Sequence, residues 1–219
     1  MKKNQLLVIL TIVAVALIAL VFVLLNQDES TTAERGDHVS IEGQPTLGNP
    51  DAKVSVVEFG DYKCPSCKQW GETIYPQLKA DYLDKEDVSF SYINVLFHEQ
   101  ESILASLASE SVYEQDPESF WKFHKALYDA QPESQQHDNA WVTVEKLKEI
   151  ASKTTTSVDL AKFEQDLGEE STVLEKVSTD DGLVKENGVQ FTPSIMINGV
   201  MLEDPFDYEK IQELIEQDL

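Results

Sequence analysis

The only two cysteines of the 219-residue chain stand in Cys64-Pro65-Ser66-Cys67, directly behind the apolar stretch 54–59. A bridge between them would close so short a loop that it removes little chain entropy, which makes it a poor structural staple. The spacing points instead to a reversible electron pair at the junction of a strand and a helix. It also means that the fold holds together without disulfide cross-links, which about 180 residues of globular chain can do through an ordinary core.

Residues 6–25 are apolar apart from Thr11, and about 20 such residues suffice to cross a bilayer as a helix. Lys2 and Lys3 precede the run while Asn26, Gln27, Asp28 and Glu29 follow it. By the positive-inside bias the N-terminus is then cytoplasmic and the remainder extracytoplasmic. The competing reading is a secretory signal peptide cleaved near Thr31 and Ala33, but the apolar run is longer than the roughly 7 to 15 residues usual for one. Export together with a lone cysteine pair again argues against structural disulfides, which the compartment would permit. The net charge of −23 excludes nucleic acid as a natural partner, because phosphate binding requires clustered Lys and Arg.

Residues 27–50 are polar, contain Gly36, Gly43, Pro45, Gly48 and Pro50, and show no sustained period, which predicts a tether and an irregular lead into the fold, with regular structure starting near Ala52. Val54, Val56, Val57 and Phe59 predict one buried strand and residues 88–97 a second, with a helix over 67–83 between them and Pro65 in its first turn. From Glu99 to about Val177 the pattern becomes helical. Ile103, Leu104, Leu107, Ala108 and Val112 share a face; Asp116 and Pro117 open a helix burying Phe120, Phe123 and Leu127; Thr143 caps one carrying Val144, Leu147, Ile150 and Ala151. Leu160, Phe163 and Leu167 mark a fourth helix, and Val173, Leu174 and Val177 a fifth. Asn187-Gly188 predicts a helix stop, and residues 194–197 and 200–202 two strands joined at the hairpin signal Asn198-Gly199. Tyr208, Ile211, Leu214 and Ile215 close the chain with an amphipathic helix.

Strand, Cys-Pro-Ser-Cys, helix, strand, helical section, Thr192-Pro193, hairpin and final helix together resemble the DsbA family of thiol-disulfide oxidoreductases, most of all its membrane-attached Gram-positive members. The strings Val-Val-Glu-Phe-Gly-Asp-Tyr-Lys-Cys-Pro-Ser-Cys-Lys and Gln-Phe-Thr-Pro-Ser carry the likeness, which extends from about Ala52 to the C-terminus. The resemblance implies an α/β thioredoxin fold with an inserted α-helical domain, preceded by one transmembrane helix. Residues 1–37 are then anchor and tether, 38–97 and 180–219 the two parts of the thioredoxin domain, and 98–179 the insertion. It further implies a dithiol oxidase that donates its Cys64–Cys67 disulfide to reduced exported proteins, needs no cofactor beyond that disulfide, and is reoxidised by a DsbB-like, quinone-linked membrane partner.

At a helix N-terminus free amides and the helix dipole stabilise a thiolate, so Cys64 is expected to be the nucleophile and Cys67 the resolving thiol, with Pro65 and Ser66 tuning the site. Gram-negative DsbA carries a histidine where this chain has Ser66. The resemblance implies a cis bond at Thr192-Pro193 beside the cysteines and makes Thr192 and Pro193 substrate contacts; taken alone, the dipeptide reads as an ordinary strand-edge proline. Glu58 matches the family's acidic residue under the active-site helix, where an apolar setting would raise its pKa and let it relay the Cys67 proton through water; otherwise it is a strand-end residue facing solvent.

Asp61 reads as a loop or capping residue, and Tyr62 and Trp70 as either substrate surface or core. A zinc site from the cysteines with two of His38, His98, His124 and His137 is disfavoured, because no His-x3 to x5-His spacing exists. No Asp-x-Asp-x-Asp-Gly loop marks a calcium site, and the sequence assigns no metal. Two other functions share these features. A reductase or isomerase fed by a membrane electron donor would use the same motif, and a non-catalytic binding module or chaperone would leave an intact cysteine pair idle.

Overall fold

A computed structural model describes residues 36, 38–85, 87–133, 139–168 and 170–219. The expected transmembrane helix over 6–25 lies outside the described residues, as does His137; among the described residues no helix is long and apolar enough to cross a membrane.

Five strands form one sheet in the order β1-β3-β2-β4-β5: β1 (Thr46–Leu47), β2 (Val54–Gly60), β3 (Val88–Asn94), β4 (Ser194–Ile197) and β5 (Val200–Met201). The central pair β2 and β3 is parallel, while β4 runs antiparallel to β2, with Glu58 opposite Tyr92 on one side and Ile195 on the other. Successive strand residues face opposite sides. Val54 and Val56 therefore pack with Trp70, Ile74, Leu78, Ile211 and Ile215 on one face, whereas Val57 and Phe59 pack with Ile93, Val184 and Met196 on the other. The same alternation puts Glu58 on the face of Val54 and Val56, toward the helix that follows the cysteines.

That helix differs from the single span 67–83. It is two helices, α1 (Pro65–Thr73) and α2 (Tyr75–Asp81), broken at Ile74. Pro76 has no amide hydrogen and its ring would clash with the carbonyl of Glu72, so the helix restarts there. A second correction lies at the start of the fold: β1 precedes Ala52, pairing Thr46 with Ser91 and Leu47 with Phe90. Two residues are too few to show an alternation in sequence. A third concerns 88–97, where the strand stops at Asn94; the Val95 amide still donates to Gly60 O at 2.8 Å before the chain turns away.

The helical section comprises α3 (Glu99–Gln115), α4 (Phe120–Asp129), α5 (Val144–Thr154), α6 (Leu160–Asp166) and α7 (Leu174–Glu186). Helix α3 is buried over most of its length by Ser102, Ala105, Ser106, Ala108, Ser109 and Ser111, which let neighbouring helices approach closely. Ile103 falls outside that contact and is 37% exposed, unlike its predicted face-mates. Asp116 does not cap through its side chain: its carboxylate accepts the amides of Thr156 and Ser157, and a 3-10 turn over Pro117–Ser119 leads into α4. Thr143 caps α5 as expected, accepting from the Lys146 amide, and Asp159 caps α6. Gly188 at φ +65° ends α7, and Asn198 and Gly199 at φ +45° and +82° turn the β4–β5 hairpin. The chain closes with α8 (Tyr208–Glu216), which lays Ile211, Leu214 and Ile215 against the α1 face of the sheet.

Candidate active site

The site is assembled where β2 ends and α1 begins. A turn closed by the Cys64 amide donating to Asp61 O at 2.9 Å delivers Cys64 to the N-cap of α1, with extended backbone (φ −74°, ψ 120°) and Pro65 at the next position. Both cysteines are free thiols. Cys64 retains 8% exposure while Cys67, one helical turn on, is fully buried.

The two thiols are driven in opposite directions. A hydrogen bond from the Cys67 thiol, helped by the Thr192 side chain and the backbone amides of Cys67 and Ser66, brings Cys64 down from 9.0 to about 5 in spite of burial. Burial, with the Cys64 sulfur and Glu58 as further negative neighbours, pushes Cys67 well up. The Asp61 amide donates to the Cys67 sulfur at 3.4 Å. Pro65 occupies the position where a missing amide costs nothing, and Ser66 offers its backbone amide rather than its hydroxyl.

Thr192-Pro193 is cis and lies immediately before β4. The Cys64 thiol donates to the Thr192 carbonyl at 3.3 Å, a bond it can make only while protonated. Residues 128 apart in sequence thus meet at the sulfur, and the Phe191 ring just before them is 49% exposed.

Glu58 is 3% exposed and faces the α1 side of the sheet, and its carboxyl has no hydrogen-bond partner among the described residues. It lines a cavity of about 550 Å³ that also reaches Cys67, His124 and Tyr128 and is walled by Tyr75, Phe90 and Trp121. Burial, and after it the nearby Cys64 sulfur, raise its carboxyl from 4.5 to about 8, so it is a neutral acid at physiological pH. The solvent-facing alternative for Glu58 is thereby set aside.

Asp61 is a buried capping residue, as the sequence suggested. Its carboxylate accepts from the amides of Lys63, Phe97 and His98 and from the Ser102 hydroxyl, and its Oδ2 lies 2.8 Å from His98 Nδ1. It thereby ties the cysteine turn to the start of α3. Trp70 and Tyr62 resolve as core: Trp70 donates Nε1–H to Pro205 O at 2.8 Å, and the Tyr62 hydroxyl shares a 2.9 Å hydrogen bond with His124 Nδ1. Burial holds His124 down at about 3, so it is a neutral imidazole.

Two further groups at the site carry no sequence signal. Lys63 is buried against Glu101 and donates to Asn139 O at 3.1 Å, while Glu101 also takes the amides of Trp141 and Val142. Gln131, just past α4, donates to the carbonyls of Tyr62 and Cys64. Both act over separations of tens of residues, which no local pattern records. Among the described residues no group of three or more His, Cys, Asp or Glu side chains is arranged to hold a metal ion.

The family profile described as thioredoxin matches residues 40–217. "Disulfide bond formation protein D" of Bacillus subtilis is 43% identical over 194 residues, covering 89% of this chain and 85% of that protein. "Probable disulfide bond formation protein D" of Bacillus anthracis is 32% identical over 219 residues, covering 100% and 98%. The crystal structure of oxidised BdbD from Bacillus subtilis superposes with a TM-score of 0.78 at 42% identity over 84% of this chain and 96% of that one. Chlamydia trachomatis DsbA superposes with a TM-score of 0.70 at 20% identity, covering 81% and 92%, a likeness of fold alone.

Proposed function

This chain belongs to the thioredoxin family, among the disulfide bond formation D proteins, and from that membership and the site we propose that it is a thiol-disulfide oxidoreductase that introduces disulfide bonds into exported proteins. The observation that carries this is the opposite displacement of two thiols within one tetrapeptide, Cys64 down to about 5 and Cys67 well up. A pair whose reduced form is stabilised as a thiolate holds its disulfide as the less favourable state and passes it on.

In the oxidised enzyme a substrate thiolate attacks the Cys64 sulfur, the Cys64–Cys67 bond breaks, and Cys67 leaves with the electron pair. Because Cys67 is buried, its thiolate must take a proton. Glu58 is protonated at neutral pH and shares a cavity with Cys67, so it supplies that proton through water in the cavity. A second substrate thiolate then attacks the substrate sulfur of the mixed disulfide and expels Cys64, a good leaving group because its thiolate is stable at pH 7. The substrate is oxidised to a disulfide and the enzyme leaves as a dithiol. Thr192 and Pro193 receive the substrate segment: the Thr192 carbonyl beside Cys64 is an edge on which an extended peptide can add as a strand.

Turnover requires an acceptor for two electrons, and a DsbB-like, quinone-linked membrane oxidase fills that role in our reading. Lys2, Lys3 and the apolar run 6–25 support a single-pass anchor in the cell membrane, with the catalytic domain on the extracytoplasmic side, where both the acceptor and newly exported substrates are met.

The test is oxidation of reduced, unfolded ribonuclease by the purified chain. Cys64→Ser is expected to abolish it, and Cys67→Ser, offered a disulfide-bonded substrate, to accumulate mixed disulfides on Cys64 as its thiolate attacks that disulfide and one substrate sulfur leaves as a thiolate. If Cys67 were the thiol alkylated faster near neutral pH, the assigned roles would be reversed and the mechanism refuted.

A further inference from the structure

The turn that carries Cys64 is held from two sides. From within, the Asp61 carboxylate accepts the Lys63 amide at 2.8 Å and the Cys64 amide closes onto Asp61 O. From outside, the end of α4 reaches it at three points. Tyr128 packs its ring on Tyr62 with centroids 4.9 Å apart, His124 bonds the Tyr62 hydroxyl, and Gln131 Nε2 donates to Tyr62 O at 2.8 Å and Cys64 O at 3.1 Å. Both acceptors are carbonyls, so only the NH₂ of the Gln131 amide can serve them, and the orientation of the side chain follows from chemistry.

The Cys64 carbonyl is also the acceptor that begins α1, but its bond from the Lys68 amide is long, 3.3 Å. Gln131 is therefore the closer of its two donors. The Tyr62 carbonyl is not paired within the turn and depends on Gln131 for a donor. Gln131 is itself 7% exposed, and its own amide is fixed to Tyr128 O at 3.1 Å. It is thus a buried, pre-set clamp on the backbone of the nucleophile.

We propose that Gln131 is a positioning residue for the redox reaction: the helical insertion, through this one amide, holds the turn so that the Cys64 sulfur stays aimed at the first free amides of α1. Without it, the Cys64 carbonyl relaxes onto its weak helical bond and the turn loses its outer tether. The sulfur then drifts from the amides of Ser66 and Cys67 that favour its ionised form. The inference deepens the oxidoreductase reading and rests on it. The insertion thereby belongs to the redox machinery as well as to the scaffold.

The experiment is the pH dependence of Cys64 alkylation by iodoacetamide in the full-length chain, for wild type, Gln131→Met and Gln131→Asn. Methionine keeps the length and loses the donor. Asparagine keeps the amide on a side chain too short to span both carbonyls. A midpoint raised by about one pH unit in Gln131→Met makes alkylation about fivefold slower at pH 5 and leaves it unchanged at pH 8. Gln131→Asn should move the same way by less. A change confined to pH 5 marks ionisation, since a merely loosened structure would alter accessibility at both. An unchanged midpoint in folded Gln131→Met overturns the proposal; if that variant does not fold, an unchanged midpoint in Gln131→Asn does so. A wild-type chain unable to oxidise ribonuclease would instead defeat the functional reading and leave the alkylation result to stand or fall by itself.

Discussion

The lowered Cys64 thiol makes the redox state of the pair a pH-dependent contribution to stability. A thiol taken from 9.0 in the unfolded chain to about 5 in the folded one binds its proton more weakly when folded. The reduced protein therefore gains stability that is fully present above pH 9 and is lost as pH falls through 5. Each tenfold change in proton affinity is worth about 1.36 kcal/mol, so the gain reaches about 5 kcal/mol at its ceiling, about 3 kcal/mol at pH 7, and almost nothing at pH 5. The oxidised form has no Cys64 thiol to ionise and lacks this contribution. Denaturant unfolding of the reduced and oxidised proteins should therefore show the reduced form gaining about 3 to 4 kcal/mol on the oxidised form between pH 5 and pH 8. On the scale of about 30 mV per 1.4 kcal/mol, the pH 7 contribution makes the disulfide more oxidising by about 60 mV. Cys67 remains a thiol throughout this window because burial pushes it up, and the burial that chiefly raises Glu58 acts in both redox forms, so its contribution largely cancels in the difference. A gap between the two forms that stays constant from pH 5 to pH 8, or one that favours the disulfide as pH rises, would rule out a folded-state thiolate at Cys64 as the source of oxidising power.

Glu58→Gln keeps the shape of the neutral acid while removing its proton. At pH 7 it should slow the step that protonates Cys67 by about 100-fold, seen as delayed mixed-disulfide formation in stopped flow. The same substitution should stabilise the reduced protein, because an acid raised from 4.5 to about 8 by folding opposes the folded state increasingly as pH climbs from 4.5 to 8. The expected gain is about 3 kcal/mol at pH 7 and close to zero at pH 4, so coincident denaturation curves at pH 7 would contradict the buried-acid assignment. Gly60→Ala should cost about 1–3 kcal/mol, since its Cβ would stand 2.5 Å from Tyr92 Cε2 and 2.9 Å from the Tyr128 hydroxyl; an unshifted thermal midpoint would show that these rings yield.

The local rules of the chain already contain the redox centre. Cys64-Pro65-Ser66-Cys67 behind a β-branched run places a cysteine at a helix start, because proline is tolerated in the first turn and a cysteine pair so close is a poor scaffold. Asn198-Gly199, Gly188 and Thr143 likewise announced a hairpin, a helix end and a cap, each a matter of one residue's own backbone or hydroxyl. What escaped that reading depended on partners distant in sequence. Strand β1 exists only because β3 offers it an edge, and Ile103 is exposed only because the small residues of α3 turned its other sides inward. The burial of Glu58 was set by the sheet face that α1 covers, and its raised pKa by desolvation there. Gln131 and Lys63 gave no local sign, since a glutamine after a helix and a lysine before a cysteine are ordinary until the insertion folds back over the turn. Which atoms exchange electrons is thus written along the chain. Which sulfur ionises, where the proton waits and what holds the turn follow only from the folded arrangement, because desolvation and hydrogen bonding act through space.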